Sequence, residues 1–164
     1  MIASVQQRED GVRRALASIV FAFLLHQLPL AGWALAVRPD FVAVALLFWA
    51  LHRPARVGMG WAFAAGLLSD FQDGVVFGQH AAAYVIGVYA LNHFRLRLLQ
   101  FDPLRQAGQM APLLLGVQLV ALVVGWLAVG APQGFAILLP VIGNTLLWWG
   151  VAALLRAMHG ARRL

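Results

Sequence analysis

Six apolar runs, broken by short polar stretches in which arginine is the sole strong cation, constrain this chain more than any other feature. The runs are Ala15 to Val37, Phe41 to Leu51, Val57 to Leu68, Val75 to Leu91, Met110 to Gly130 and Phe135 to Leu155. At ~1.5 Å per residue the first and the last two measure about 31–35 Å, enough to cross a ~30 Å hydrocarbon core as helices. The middle three are shorter, and Phe41 to Leu51 would reach only about 17 Å. Of the 164 residues 62% are hydrophobic, 16 more are glycine, and 11% are charged. A globular fold of this length cannot hide that much apolar surface, so the remainder must face lipid. The expected class is therefore an all-α polytopic membrane protein.

Whether Phe41 to Leu68 is two thin spans or one broken segment is decided by arginine parity. With six spans, Arg8, Arg13 and Arg14, then Arg53 and Arg56, then Arg95, Arg97 and Arg105, and finally Arg156, Arg162 and Arg163 share one side, which is eleven of the twelve arginines. Only Arg38 lies opposite. A single crossing would export the third and fourth clusters, against the positive-inside rule. The expectation is six transmembrane helices with both termini cytoplasmic, in the cytoplasmic (inner) membrane. The spans fall at about 15–37, 41–51, 57–69, 75–91, 110–130 and 135–155, between an N-terminal tail at 1–14 and a basic tail at 156–164.

The outer connections are then Arg38 to Asp40, Ser69 to Gly74 and Ala131 to Gly134. On the inner side, Phe94, Leu98 and Phe101 recur at i, i+4 and i+7 beside Arg95, Arg97 and Arg105. That pattern predicts a helix lying in the membrane interface over about 93–102, with Pro103 ending it. Arg13 and Arg14, an apolar run and Ala34-Leu35-Ala36 resemble a signal peptide, but a run of 23 residues exceeds the usual ~7–15. The first span is expected to stay.

The inventory of reactive groups is sparse. Ser4, Ser18 and Ser69 are the only serines, and none stands in a Gly-x-Ser-x-Gly turn. Asp70 and Asp73 are three apart in one stretch, a spacing that suits capping more than a proton-sharing dyad from opposing helices. His26, His52, His80, His93 and His159 form no metal-ligand pair, and no cysteine is present to bind zinc or an iron–sulfur cluster. Nucleotide-binding fingerprints are missing too. No catalytic residue, metal or cofactor is expected, and the arginine clusters read as topology determinants in contact with lipid rather than as a nucleic-acid surface.

What remains is a polar cluster on the outer side: Arg38, Asp40, Asp70, Gln72, Asp73, Gln79 and His80. Ionisable groups at membrane depth are costly and point to function by default. One reading is structural, with Asp40 and Asp73 at helix N-termini and Asp70 paired with Arg38 between loops. The other is a face for a partner or ligand, with Arg38, Asp40, Asp70, Gln79 and His80 as its candidate residues. Ala62 with Gly66, and Gly74 with Gly78, are small residues four apart that would let helices approach closely, so Gly66, Gly74 and Gly78 are expected at helix contacts.

From Arg38 to Tyr89 the sequence resembles the rod shape-determining membrane protein family MreD. The matching pieces are Arg38-Pro39-Asp40 opening an apolar run, Ala50-Leu51-His52-Arg53-Pro54 closing it, Gly66-Leu67-Leu68-Ser69-Asp70 leading to Gly74, and Gly78-Gln79-His80-Ala81 with Tyr84. The resemblance implies a non-enzymatic component of the bacterial cell-wall elongation complex. Its implied partners are the single-span protein MreC and, around it, MreB, RodA and a penicillin-binding transpeptidase. It also implies an architecture similar to the six-helix substrate-binding subunits of energy-coupling-factor transporters. That likeness supplies an alternative, a vitamin-binding membrane subunit with Asp40, Asp70, Gln79 and His80 lining an outer pocket.

Overall fold

Proline and glycine, more than charge, decide where the helices stop. The computed structural model describes residues 2–130 and 138–160. The expected connection at 131–134, the start of the last expected span at 135 and residues 161–164 of the expected tail lie outside the described residues. Among the described residues the regular structure is entirely α-helical: α1 (Ile2–His26), α2 (Trp33–Ala36), α3 (Phe41–His52), α4 (Met59–Asp73), α5 (Gln79–Leu98), α6 (Pro103–Val129) and α7 (Pro140–Gly160).

The single span expected over 15–37 is interrupted. α1 closes at His26 with tight turns from the Gln27 and Leu28 N–H groups to the Leu24 and Leu25 carbonyls. Pro29 follows, with no N–H to continue the ladder and a ring that pushes its predecessor out of helical backbone. Gly32 then takes φ 61°, and the four-residue α2 follows. Hydropathy does not register this break, because Leu28-Pro29-Leu30-Ala31 is itself apolar. Helical backbone also starts at Ile2, within the stretch read as a tail.

α3 is the pivot. Asp40 caps it by accepting the Ala43 N–H at 2.9 Å, and Pro54 ends it two residues after His52. Val42, Ala43, Val44, Leu46, Leu47, Ala50 and Leu51 are all buried, so this helix is enclosed on most of its circumference. It packs on α1, α4, α5 and α7, while α4, α5, α6 and α7 pack in chain order. A 12-residue helix is only about 18 Å long, short of a full hydrocarbon crossing. Together with α2 it forms Trp33–His52, 20 residues, one of two stretches among the described residues that are apolar and long enough to cross; the other is Leu104–Val129 of 26. Outward-facing Phe21, Phe63, Leu96, Leu127 and Leu146 extend that apolar character over the surface, as a protein seated in a membrane requires.

The separate interfacial helix expected over 93–102 is absent. α5 runs without interruption to Leu98, and Pro103 opens α6 instead of closing the preceding helix. Proline suits the first helical position because its missing N–H would be unpaired there anyway. The Gln106 amide donates to the Leu98 carbonyl at 3.1 Å and ties this turn shut. At the same end of the bundle the Arg95 Nε donates to the Leu51 carbonyl at 2.7 Å, satisfying an orphan acceptor at the C-terminus of α3.

Candidate functional site

The opposite end of the bundle gathers the C-termini of α1 and α4 and the N-termini of α3, α5 and α7, and its carboxylates hold them together. Asp70, in the last turn of α4, is fully buried. Its Oδ2 accepts the Gly78 N–H at 2.8 Å and its Oδ1 accepts the His80 N–H at 2.6 Å, with the His80 Nδ1 3.0 Å away. The Ala81 N–H adds a longer bond at 3.5 Å. A carboxylate facing the free N–H groups of a helix start is favoured by both hydrogen bonding and the helix dipole. Asp70 therefore caps α5 from α4 and is not the partner of Arg38, as the loop-to-loop reading had it. It reaches α5 because Gly66 lets the two helices touch: a Cβ at Gly66 would collide with the Ala81 backbone.

The other two glycines act differently from the expectation of helix contacts. Gly74 and Gly78 have φ of 63° and 100°, and nothing lies within 4 Å of where a Cβ would stand. They are left-handed turn residues at the end of α4 and the start of α5, a backbone that side chains disfavour. Gly74 closes α4 through its N–H bond to the Asp70 carbonyl.

Asp40 is equally spent on structure. Besides capping α3, its Oδ2 accepts the Tyr84 hydroxyl at 2.7 Å, and its N–H donates to the Asn144 Oδ1 at 2.6 Å. The Tyr84 hydroxyl lies 3.4 Å from the Ser69 Oγ. Gln79 is also buried, against Gly125 of α6. Asp40, Asp70 and Gln79 thus face protein and not an outer pocket, and His80 turns its ring onto Asp70.

Asp73 and Arg38 form the accessible part. The Asp73 Oδ1 lies 2.8 Å from the His26 Nε2 and 3.8 Å from the Arg38 Nη2, and its Oδ2 lies 3.9 Å from the His80 Nε2. Arg38 donates through Nη1 to the His26 carbonyl at 3.1 Å, which finishes the C-terminus of α1. Its Nη2 also lies 3.1 Å from the His26 Nε2. One imidazole nitrogen cannot donate to a carboxylate and accept from a guanidinium at once. A carboxylate oxygen at 2.8 Å demands a donor, which assigns the proton to Nε2. His26 Nδ1 is buried with no partner among the described residues. Burial pushes the Asp73 carboxyl up, but the His26 hydrogen bond and the charges of His26, His80 and Arg38 outweigh it and hold it below the ordinary 3.8.

Two recesses open here. One of about 240 Å³ is lined by His26, Gln27, Pro29, Leu35, Arg38, Gln72 and Asp73 among others. The second, of about 410 Å³, lies between α1 and α4 and is lined by Phe23, Gln27, Leu68, Phe71 and Gln72. Gln27 and Gln72 border both, so a polar floor runs into an apolar slot. Among the described residues no group of three or more His, Cys, Asp or Glu is placed to hold a metal ion. Sequence reasoning left His26, Ser69, Tyr84 and Asn144 out of the candidate site; they are scattered along the chain and meet only after folding.

Residues 11–158 match the family described as rod shape-determining protein MreD. The rod shape-determining protein MreD of Haemophilus influenzae is 33% identical over 84 residues, which covers 50% of this chain and 52% of that protein. The match thus spans about half the length of that curated relative. No solved structure matches the chain. With a match that takes in most of its length, the chain belongs to the MreD family.

Proposed function

We propose that this chain is a multi-pass inner-membrane component of the cell-wall elongation complex, with six spans and both ends cytoplasmic. It maintains rod shape by binding MreC, which joins it to MreB, RodA and a penicillin-binding transpeptidase. It works through helix faces and short connections, without catalysis. The observation that carries this reading is the pair of recesses at one end, an apolar slot between α1 and α4 that opens onto Arg38 and Asp73. A single membrane helix seated along the slot would bury its apolar face on Phe23, Leu68 and Phe71. The chain just beyond it would then meet the Arg38 guanidinium and the Asp73 carboxylate. A helix-in-groove contact of this kind matches a single-span partner.

Co-purification of MreC with the tagged chain tests this. Arg38→Ala and Phe71→Ala variants that still insert are expected to retain about tenfold less MreC, as interface anchors do. Leu146→Ala, on the exposed face of α7, is expected to retain it fully. Undiminished association in both docking variants would remove the slot as the binding face. Asp70 is unsuited to this test, because a fully buried cap of α5 reports on folding.

A further inference from the structure

The arginine end of the bundle carries a second concave feature. A half-open groove of about 450 Å³ runs between α5 and α6, floored by Gly87, Ala90 and Gly116 and walled by Phe94 and Pro112, with Arg97 at its rim. At Gly87 the helices are in close contact, since a Cβ there would stand 2.5 Å from the Val117 Cγ2. From there the groove follows α5 toward its C-terminus for about 18 Å. Pro112, inside α6, removes one backbone hydrogen bond from this wall.

We propose that this groove holds an acyl chain of an anionic glycerophospholipid, with the lipid phosphate on Arg97. Three observations select that occupant. A helix is ~10–12 Å across, so one laid along this length would need roughly three to five times the groove's volume, whereas a single hydrocarbon chain is a much thinner cylinder. Arg97 is exposed and makes no ion pair among the described residues, while its neighbour Arg95 is spent on the Leu51 carbonyl. Its guanidinium is free for a phosphate diester, two of whose oxygens can accept the paired N–H donors of the planar arginine fork. Arg53, Arg56 and Arg105 lie at the same end, so in the proposed topology this mouth opens on the leaflet where anionic lipids attract basic groups. Phe94, Leu98 and Phe101, whose spacing looked like a helix lying flat on the membrane, instead line the groove together with Arg97.

Native mass spectrometry of the full chain in mild detergent, titrated with phosphatidylglycerol or phosphatidylcholine, tests the assignment. One phosphatidylglycerol molecule is expected to be retained preferentially, with roughly tenfold weaker binding in Arg97→Gln. Gly116→Leu would fill the groove without a backbone clash, because nothing lies within 4 Å of its Cβ position. It is expected to abolish retention, whereas Arg53→Gln at the same end is expected to leave it unchanged. Equal retention of the two lipids, undiminished binding in Arg97→Gln and Gly116→Leu, or recovery of a polyprenyl phosphate in place of the glycerophospholipid would each overturn the proposal.

Discussion

Asp73 shows how one carboxylate can fasten two helices and still stay partly open to the surface. It joins α4 to the end of α1 through His26 while remaining about one-fifth exposed. Its pKa lies below the ordinary 3.8, so the charged form is the one stabilised by folding. That contribution is fully present above the ordinary value and is lost as pH falls through the lower folded value. Thermal unfolding followed by tryptophan fluorescence is expected to show Asp73→Asn less stable than the parent by about 1 kcal/mol near neutrality. The gap should close as the pH drops below about 4. A gap independent of pH would mean that the Asp73 charge contributes nothing. Sequence reasoning located Asp73 and Arg38 at this end but paired Arg38 with Asp70. Separation along the chain could not reveal that α4 continues past Ser69 and turns Asp70 inward, one helical turn before Asp73.

At the scale of elements, the α4–α5 hairpin depends on two kinds of glycine. Gly66 permits contact between helix backbones, and Gly74 permits a left-handed turn. Gly66→Val is expected to push the hairpin apart and cost about 1–3 kcal/mol or more, as overpacking does. Gly74→Ala is expected to cost about 1–2 kcal/mol through backbone strain alone. Asparagine tolerates left-handed backbone, so Gly74→Asn should recover part of that loss while Gly66→Asn recovers none. Thermal melts of the four variants check the distinction, and equal recovery at both sites would refute it. Helix starts were legible where chemistry marks them, as at Asp40. The stop of α1 at His26 was hidden inside an apolar run, and the length of α5 was obscured by arginines that the helix accommodates, Arg95 on the Leu51 carbonyl and Arg97 on the exposed side.

For the whole molecule, the bundle's two chemically distinct ends give the proposed topology a direct test. Asp40, Asp70 and Asp73 meet at one end, while Arg53, Arg95 and Arg97 gather at the other. The chain has no cysteine, so single introduced thiols report sidedness without background. Phe77→Cys, exposed at the carboxylate end, is expected to react with a membrane-impermeant maleimide in intact spheroplasts. Ala55→Cys, exposed in the turn between α3 and α4, should react only after permeabilisation. Labelling of both in intact cells would show that residues 41–68 do not cross twice.

The sequence by itself determined an all-helical, lipid-facing chain, because apolar content and arginine spacing are properties of local segments and leave few folds open. It also singled out Arg38, Asp40, Asp70, Gln79 and His80, since charge near apolar runs is costly wherever the chain goes. Only the tertiary structure decided what each one does. Asp40, Asp70 and Gln79 turn inward to satisfy helix ends and neighbours, Arg38 and Asp73 stay open beside a slot, and Arg97 closes the rim of a groove. Those assignments depend on which helix ends meet across tens of residues, and that is settled by close contacts such as Gly66 on Ala81, which leave no periodic mark in the chain.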